Sequence, residues 1–241
     1  DLIRLASVNQ WARDLVSGYM IEEFSINELL LPFFHSPHIT AFRKLQEELG
    51  VVISGSQAVQ FFERKRFKDS DLDLYAHSTV SPRLEDWLTT VGYRRANVVE
   101  RTVDTGEHER AEGFYEGPIT RVVTFQNRFS KRIVQVISTR HTVLEVILAF
   151  PITCVMNVIT HNEAISFYPL ATFDRREALV NKTSFSHKRD AFFNKYRERG
   201  WTITESLDPA RRFDERSEFY CPPYSRRTRY VGDKRCWTIS L

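Results

Sequence analysis

One stretch of this sequence constrains the fold more than any other, and it begins at residue 51. Val51-Val52-Ile53 is a short β-branched run typical of a buried strand. Ser54-Gly55-Ser56 then turns the chain into an apolar helix that covers residues 58–63. The sequence therefore predicts a strand, a turn of small residues and a helix in that order.

A second strand with two acidic residues follows this helix. Residues 71–76 alternate between acidic or polar and apolar side chains, which predicts a strand with one buried face and puts Asp71 and Asp73 on the same side. Two adjacent carboxylates are costly unless a cation compensates them. Mg²⁺ or Mn²⁺ would do so while bridging the phosphates of an NTP substrate. The alternative is that both acids simply lie on a solvated face.

The turn before the helix is suited to phosphate binding. Gly55 lets the backbone approach a ligand closely, and Ser56 adds a hydroxyl near a helix N-terminus, where anions are favoured. An ordinary turn with Ser56 as the helix N-cap is compatible with this interpretation. Lys68 and Arg64 are candidates for the outer phosphates, although basic residues beside an acidic strand also form a merely solvated rim.

These elements together resemble a known signature. Residues 52–58 followed by Ser70-Asp71-Leu72-Asp73-Leu74 resemble the motif of the nucleotidyltransferase superfamily related to DNA polymerase β. The motif covers about a tenth of the chain, and fourteen residues, 57–70, separate its two halves. The resemblance implies a nucleotidyltransferase-like fold with Asp71 and Asp73 as catalytic and metal-binding residues and with Gly55, Ser56 and Lys68 at the nucleotide.

Four further segments resemble a fungal set of nucleotidyltransferase-like proteins. They are residues 54–62, 154–161, 168–173 and 231–237. This resemblance extends the expected fold over most of the chain and implies no particular reaction.

Active members of the superfamily usually carry a third carboxylate on a later strand. The segment best suited to supply it here, residues 133–137, has Gln135 at its central polar position, and glutamine is neither a base nor a strong metal ligand. Asp69 or Glu145 would substitute only if the fold brought one of them close to Asp71 and Asp73.

The remaining pattern predicts an α+β fold: a mixed, nucleotidyltransferase-like sheet flanked by helices. Residues 1–50 read as a helical segment packed on the core, 51–200 as the core, and 201–241 as an irregular C-terminal extension. Strands are expected at 121–125 and 133–137, which should be adjacent and antiparallel, and at 154–159 and 164–168. Helices are expected at 38–49, 81–92, 143–150, 174–180 and 187–199, with a mobile connection or loose hairpin at 94–118.

The composition limits the partners and the cellular location that we expect for this chain. The net charge of +3 permits phosphate-rich partners without requiring nucleic acid, and three dispersed cysteines form neither a disulfide framework nor a metal cluster. No apolar run is long enough to cross a membrane, so we expect no membrane partner and an intracellular, cytoplasmic or nuclear location.

The leading hypothesis is metal-dependent NTP binding with possible nucleotidyl transfer to a hydroxyl acceptor, which RNA, a protein or a small molecule would provide. One rival is a catalytically degenerate scaffold that keeps the fold. Another is an RNA-binding protein that uses the basic C-terminal residues. An ordered tail that packs its aromatic side chains on the domain is the favoured interpretation of the same basic set: Arg226, Arg227, Arg229, Lys234 and Arg235. His141 and His161 are weaker acid–base candidates.

Overall fold

The structure is a computed structural model that describes residues 5, 8–68, 70–100, 119–181, 189–206, 219 and 231–241. Its α-helices are α1 (Gln10–Glu23), α2 (Ile26–Leu30), α3 (Ser36–Leu49), α4 (Gly55–Glu63), α5 (Ser81–Thr90), α6 (Val143–Leu148) and α7 (Arg189–Glu198). Its strands are β1 (Val52–Ser54), β2 (Leu72–His77), β3 (Tyr93–Glu100), β4 (Ile119–Asn127), β5 (Ile133–Thr139), β6 (Asn157–Ile159), β7 (Glu163–Ser166), β8 (Glu177–Leu179), β9 (Thr202–Thr204) and β10 (Trp237–Ser240).

Within the described ranges, eight strands form one sheet in the order β10-β7-β6-β1-β2-β5-β4-β3. Neighbouring strands run antiparallel except for β2 and β5, which are parallel. Strands β8 and β9 form a separate parallel pair. The predicted mixed sheet flanked by helices is confirmed, as is the antiparallel pairing of β4 with β5.

Local sequence explains where the helices begin and end. Helix α3 has Pro37 in its first turn, where the missing N–H is not needed, and it ends at Gly50, whose φ of 63° is the left-handed cap that glycine favours. Ser25 caps α2 by accepting a hydrogen bond from the backbone of Glu28.

Apolar side chains cover both faces of the sheet. One cluster includes Phe42, Leu74 and Val136, and the other includes Tyr75 and Ile137. Strand β2 contributes to both clusters, so the expectation that only one of its faces is buried is wrong. Its central position in the sheet is the reason, since helices pack against both sides.

Two further predictions are corrected. The connection expected at 94–118 begins instead with the strand β3, because residues 93–100 pair with β4 from Tyr93 opposite Asn127 to Glu100 opposite Arg121. The rest of the expected connection, 101–118, lies outside the described residues. Residues 174–180, expected to be helical, instead contain β8, which follows a short π-helix at Leu170–Asp174. The pairing of β8 with β9 buries Ala178 and overrides local helix propensity.

The N-terminal helices pack unequally on the core, and the C-terminal region adds strands. Residues 24–49 contribute buried aromatic and aliphatic side chains to the core, whereas α1 buries only Ala12 and leaves Trp11 71% exposed. In the C-terminal region, β9 and β10 are regular strands and β10 extends the main sheet. No helix among the described residues is long and apolar enough to cross a membrane.

Candidate functional site

The candidate site lies where three neighbouring strands of the sheet meet the start of α4. Asp73 in β2 has Ser54 of β1 as its partner on one side and Gln135 of β5 on the other. Asp71 immediately precedes β2. We call this group of residues, from Ser54 to Ser56 with Asp71, Asp73 and Gln135, the acid corner.

Gly55 is the residue that permits the acid corner to form. Its φ is +65°, a region that glycine adopts without strain. A Cβ atom built on Gly55 would lie 2.3 Å from Oδ2 of Asp73. Any side chain here would therefore collide with the carboxylate, so glycine brings the backbone at the start of α4 against Asp73.

Ser56 lies in the first turn of α4 and is almost fully buried. The N-cap of this helix is Ser54, so the interpretation of Ser56 as the N-cap is wrong. The Ser54 side chain makes no cap bond and instead donates to the carbonyl oxygen of Asn157 at 2.6 Å. The first N–H groups of α4 therefore have no side-chain cap from Ser54, as an anion-binding helix start requires.

Burial makes both carboxylates of the acid corner costly to ionise. Burial, and then the negative charge of Asp71, raise the pKa of Asp73 to about 7. Burial also raises the pKa of Asp71, against the opposing effect of Lys195. Neither acid forms an ion pair with any residue that the structure describes.

Gln135 of β5 lies beside both acids. Its Nε2 donates to Oδ2 of Asp71 across 3.4 Å, so it faces the acid pair. Glu145 follows the opposite, C-terminal end of β5, in the first turn of α6, and is not part of the corner. Asp69 lies outside the described residues. Among the described ranges, no three His, Cys, Asp or Glu side chains form a metal-ligating group.

Lys195 is the functional candidate that the sequence did not reveal. It lies on α7, close enough to both acids to interact with them electrostatically. One helical turn later, Arg199 donates to the Ser70 hydroxyl at 3.4 Å and stacks 4.2 Å from the centre of the Phe67 ring. Helix α7 was predicted, but no local pattern indicates that its Lys195 face lies over the acid corner.

Lys68 and Arg64, the predicted phosphate ligands, are placed differently. Lys68 is exposed in the turn that precedes β2, three residues before Asp71. Arg64 follows the C-terminal end of α4, about 13 Å of helix from the corner. It pairs with Glu23 at 2.9 Å and contacts Tyr19, so its guanidinium is bound to α1. Arg64 is therefore not brought to the site.

The remaining candidates lie away from the acid corner. His161 follows β6 beyond Ile159, at the opposite end of β1 from Ser54, and pairs with Glu47 at 3.9 Å. His141 follows the C-terminal end of β5. Lys234 and Arg235 belong to the turn before β10, and the other basic residues of the C-terminal set, 226, 227 and 229, lie outside the described residues.

The donor set of the corner fits one divalent cation. Two carboxylates of raised pKa are hard oxygen ligands without an ion-pair partner among the described residues, and Mg²⁺ commonly takes one or two carboxylates together with substrate phosphates. The described donors include no third carboxylate for a second ion, because the neutral Gln135 presents its amide nitrogen to Asp71.

Comparison with known proteins supports the fold. No protein-family model matches the chain, and no curated protein matches it. Among solved structures, the Thermotoga maritima CCA-adding enzyme in complex with tRNA is similar with a TM-score of 0.50 and 14% identity, over 75% of this chain and 42% of that one. The apo form of a CCA-adding enzyme has a TM-score of 0.44 and 11% identity, over 75% of this chain and 43% of that one.

The chain thus spans less than half the length of the solved structures that it resembles. At this identity the first likeness establishes architecture alone: an α+β domain with a nucleotidyltransferase-like mixed sheet flanked by helices. The resemblance to the fungal set stays a prediction.

Proposed function

We propose that this chain binds an NTP together with one Mg²⁺ or Mn²⁺ ion at the acid corner and transfers a nucleotidyl group to a hydroxyl acceptor. The observation that carries the proposal is the contact between Gly55 and Asp73. It combines a helix start without a side-chain cap bond from Ser54, suited to phosphate, with a carboxylate pair suited to a hard cation.

In this proposal each residue has a separate task. The backbone of Gly55 and the hydroxyl of Ser56 hold a phosphate at the start of α4. Asp71 and Asp73 hold the ion, which when bound neutralises charge that develops on the phosphate during transfer. Lys195 and Lys68 supply positive charge to the outer phosphates, which leave as pyrophosphate when the acceptor hydroxyl attacks the α-phosphate in line.

The acceptor is proposed only as a class. RNA is one candidate, because the similar Thermotoga maritima enzyme was solved as a complex with tRNA. Since this chain covers 42% of that protein, a protein side chain or a small molecule with a hydroxyl group stays open as the acceptor.

A second candidate is a scaffold that binds nucleotide without transferring it. Gln135 favours this candidate, because it contacts Asp71 in the position where a third carboxylate would act as a general base. Binding and transfer therefore need separate tests.

The test of binding is calorimetric titration of each of the four NTPs with and without Mg²⁺ or Mn²⁺. Wild type is compared with Asp71→Ala/Asp73→Ala, and the matched control is Asp86→Ala, an exposed carboxylate of α5. Metal-dependent binding that is lost only in the double variant supports the site. Absence of binding to wild type, or binding that survives in the double variant, contradicts it.

Transfer is tested with labelled NTP and an RNA acceptor, using wild type and Gln135→Glu. Label incorporated by wild type supports the enzyme. Nucleotide binding without incorporation by wild type, joined by incorporation in Gln135→Glu, supports the degenerate scaffold, since the added carboxylate supplies the missing base.

A further inference from the structure

The turn between β4 and β5 exposes an aromatic side chain among basic residues. Phe129 is 88% exposed, more than any other large apolar side chain that the structure describes. Arg128, Lys131 and Arg132, which are also exposed, lie within three residues of it in the chain. A single exposed apolar residue is ordinary on a protein surface, but an aromatic ring among cations is typical of a surface that binds nucleic acid.

Hydrogen bonds of Asn127 hold this turn in one shape. The backbone N–H of Asn127 donates to the carbonyl oxygen of Arg132 at 2.9 Å. Its side-chain Oδ1 accepts from the backbone N–H groups of Phe129 at 2.9 Å and Ser130 at 3.0 Å. Phe129 therefore projects from an ordered turn, and its ring is already in place for a ligand to stack on it.

A second basic segment lies next to this turn, beside the acid corner. Arg66, which follows α4, and Arg132 line the same cavity of about 260 Å³. Ser70 also lines it and immediately precedes Asp71 of the acid corner. This surface therefore extends from the acid corner to Phe129. We call its four exposed cations the basic rim: Arg66, Arg128, Lys131 and Arg132.

The charges of the basic rim have no carboxylate partner among the described residues. None of the four cations forms an ion pair with a residue that the structure describes. Arg66 donates instead to the backbone carbonyl of Glu28. Lys131 donates to the backbone carbonyl of Arg128 at 3.1 Å. Because like charges on one surface repel each other, a bound polyanion would relieve the repulsion and release its own counterions.

We propose that the basic rim and Phe129 bind single-stranded nucleic acid, with a base stacked on the Phe129 ring and phosphates on the four cations. Guanidinium groups suit phosphate oxygens, and three of these cations are arginines. A single strand fits because its bases have free faces, whereas the bases of a duplex are stacked on each other. If the acid corner transfers nucleotides as proposed above, the terminal hydroxyl of this strand is the acceptor; this last step alone rests on that proposal.

The experiment is fluorescence anisotropy of a labelled oligouridylate of about 12 nucleotides with wild type, in EDTA and without NTP. Because metal and NTP are absent, strand binding does not depend on the proposed metal-dependent site, and Asp71→Ala/Asp73→Ala should bind at least as tightly. Each proposal can therefore fail without the other. Four phosphate contacts to a single strand predict a slope of about −3 for the logarithm of the association constant against the logarithm of the salt concentration.

The stacking contact is tested with Phe129→Ala, which should weaken oligouridylate binding by about 10-fold. Phe129→Trp should restore it, because the indole ring also stacks on a base. The matched control is Trp11→Ala, which removes an aromatic side chain of α1 that is 71% exposed and should leave affinity unchanged. Since Phe129 is almost wholly exposed, its removal does not threaten folding.

The phosphate contacts are tested with Arg132→Ala, which should weaken binding and bring the salt slope closer to zero by about 0.7. Arg83→Ala is the matched control, because it changes the net charge equally. Arg83 is an exposed arginine of α5 that already pairs with Glu48 at 3.4 Å, and its removal should leave the salt slope unchanged.

Oligothymidylate distinguishes the two sources of the strand: tighter binding of oligouridylate supports RNA, and equal affinity supports either nucleic acid. The proposal is overturned if neither oligomer binds, if Phe129→Ala binds as wild type does, or if Arg83→Ala changes the salt slope as much as Arg132→Ala. Loss of strand binding in Asp71→Ala/Asp73→Ala also overturns it, since the strand would then depend on the acids. Binding of anionic vesicles through Phe129, without binding of either oligomer, would assign the surface to a membrane instead.

Discussion

Two carboxylates in this fold are removed from water, one beside positive charges and the other beside a second negative charge. Glu85 of α5 has a fully buried side chain, and each of its oxygens meets an arginine: Arg95 at 2.9 Å and Arg121 at 2.6 Å. Asp73 is instead placed beside a second acid, Asp71, and has no ion-pair partner among the described residues. The first carboxylate is paired with two arginines, whereas among the described residues the second has only the longer-range positive charge of Lys195 to oppose its own.

This difference in charge pairing indicates a structural role for Glu85 and a ligand-binding role for Asp73. Glu85 ties α5 to β3 and β4, and its charge is already neutralised. Asp73 makes the folded chain less stable when it is ionised, because both burial and a like charge oppose its ionisation. A costly arrangement of this kind is typical of a ligand site, where a bound cation supplies the compensation.

The largest expected effect on stability comes from breaking the compensated site. Glu85→Ala leaves Arg95 and Arg121 without their shared partner, and we expect the free energy of unfolding to fall by roughly 3 kcal/mol. Urea denaturation measures it. The control is Glu100→Ala, an exposed acid 3.8 Å from the same Arg121, which should change stability by less than about 1 kcal/mol. Equal effects of the two substitutions would contradict the distinction.

The next effect isolates the close approach at the acid corner. Gly55→Ala and Gly50→Ala impose the same strain, since the two glycines have φ values of 65° and 63°, but only at Gly55 does the new Cβ meet Asp73. We expect Gly50→Ala to cost about 1 kcal/mol. Gly55→Ala should cost more in thermal denaturation and should abolish metal-dependent NTP binding. Similar stability losses with binding intact in both would show that the contact is unimportant.

A smaller effect concerns pH. The folded-state pKa of Asp73, about 7, lies above its unfolded value of about 3.9, so the folded chain binds this proton more tightly. Stability from this group is therefore highest below about pH 4 and is lost as the pH rises towards 7. We expect Asp73→Asn to gain stability over wild type across this window, measured by denaturation at several pH values. A constant difference would be inconsistent with the raised pKa.

The smallest effect should come from the lysine beside the acids. Lys195→Ala removes a positive charge from the proposed phosphate site, and we expect NTP affinity in the presence of Mg²⁺ to fall by about 3-fold to 10-fold. Arg197→Ala is the matched control, because this exposed arginine of the same helix donates to Asn194. Fluorescence titration with a labelled NTP should distinguish the two; an equal loss would assign the effect to net charge.

Much of the acid corner was predictable because its information is local. The β-branched run before Gly55 and the alternation through Asp71 and Asp73 specify two strands, and residue spacing alone puts both acids on one face. The sequence also indicated Gln135 as the residue of β5 that could face the acids, because it is the polar residue at the centre of an otherwise apolar strand.

The contributions missed by sequence reasoning depend on tertiary packing. Lys195 acts on the acids through its charge, at the end of the chain segment where Arg199 bonds Ser70, and no periodicity within residues 187–199 encodes that position. The strand at Glu177–Leu179 was missed for a related reason, because its partner β9 is more than twenty residues away in the chain. The pairing of Arg64 with Glu23 likewise joins two segments that are distant in sequence.

The central claim is that Asp71 and Asp73, which form no ion pair with a described residue, bind one divalent cation together with a nucleotide. Electron paramagnetic resonance of Mn²⁺ tests it directly, by counting the ions bound per chain in the presence of a non-hydrolysable NTP analogue. Wild type is compared with Asp71→Asn/Asp73→Asn, which keeps the shape of both side chains. The account predicts one bound ion in wild type and none in the variant; no bound ion in wild type, or equal binding by both proteins, would contradict it.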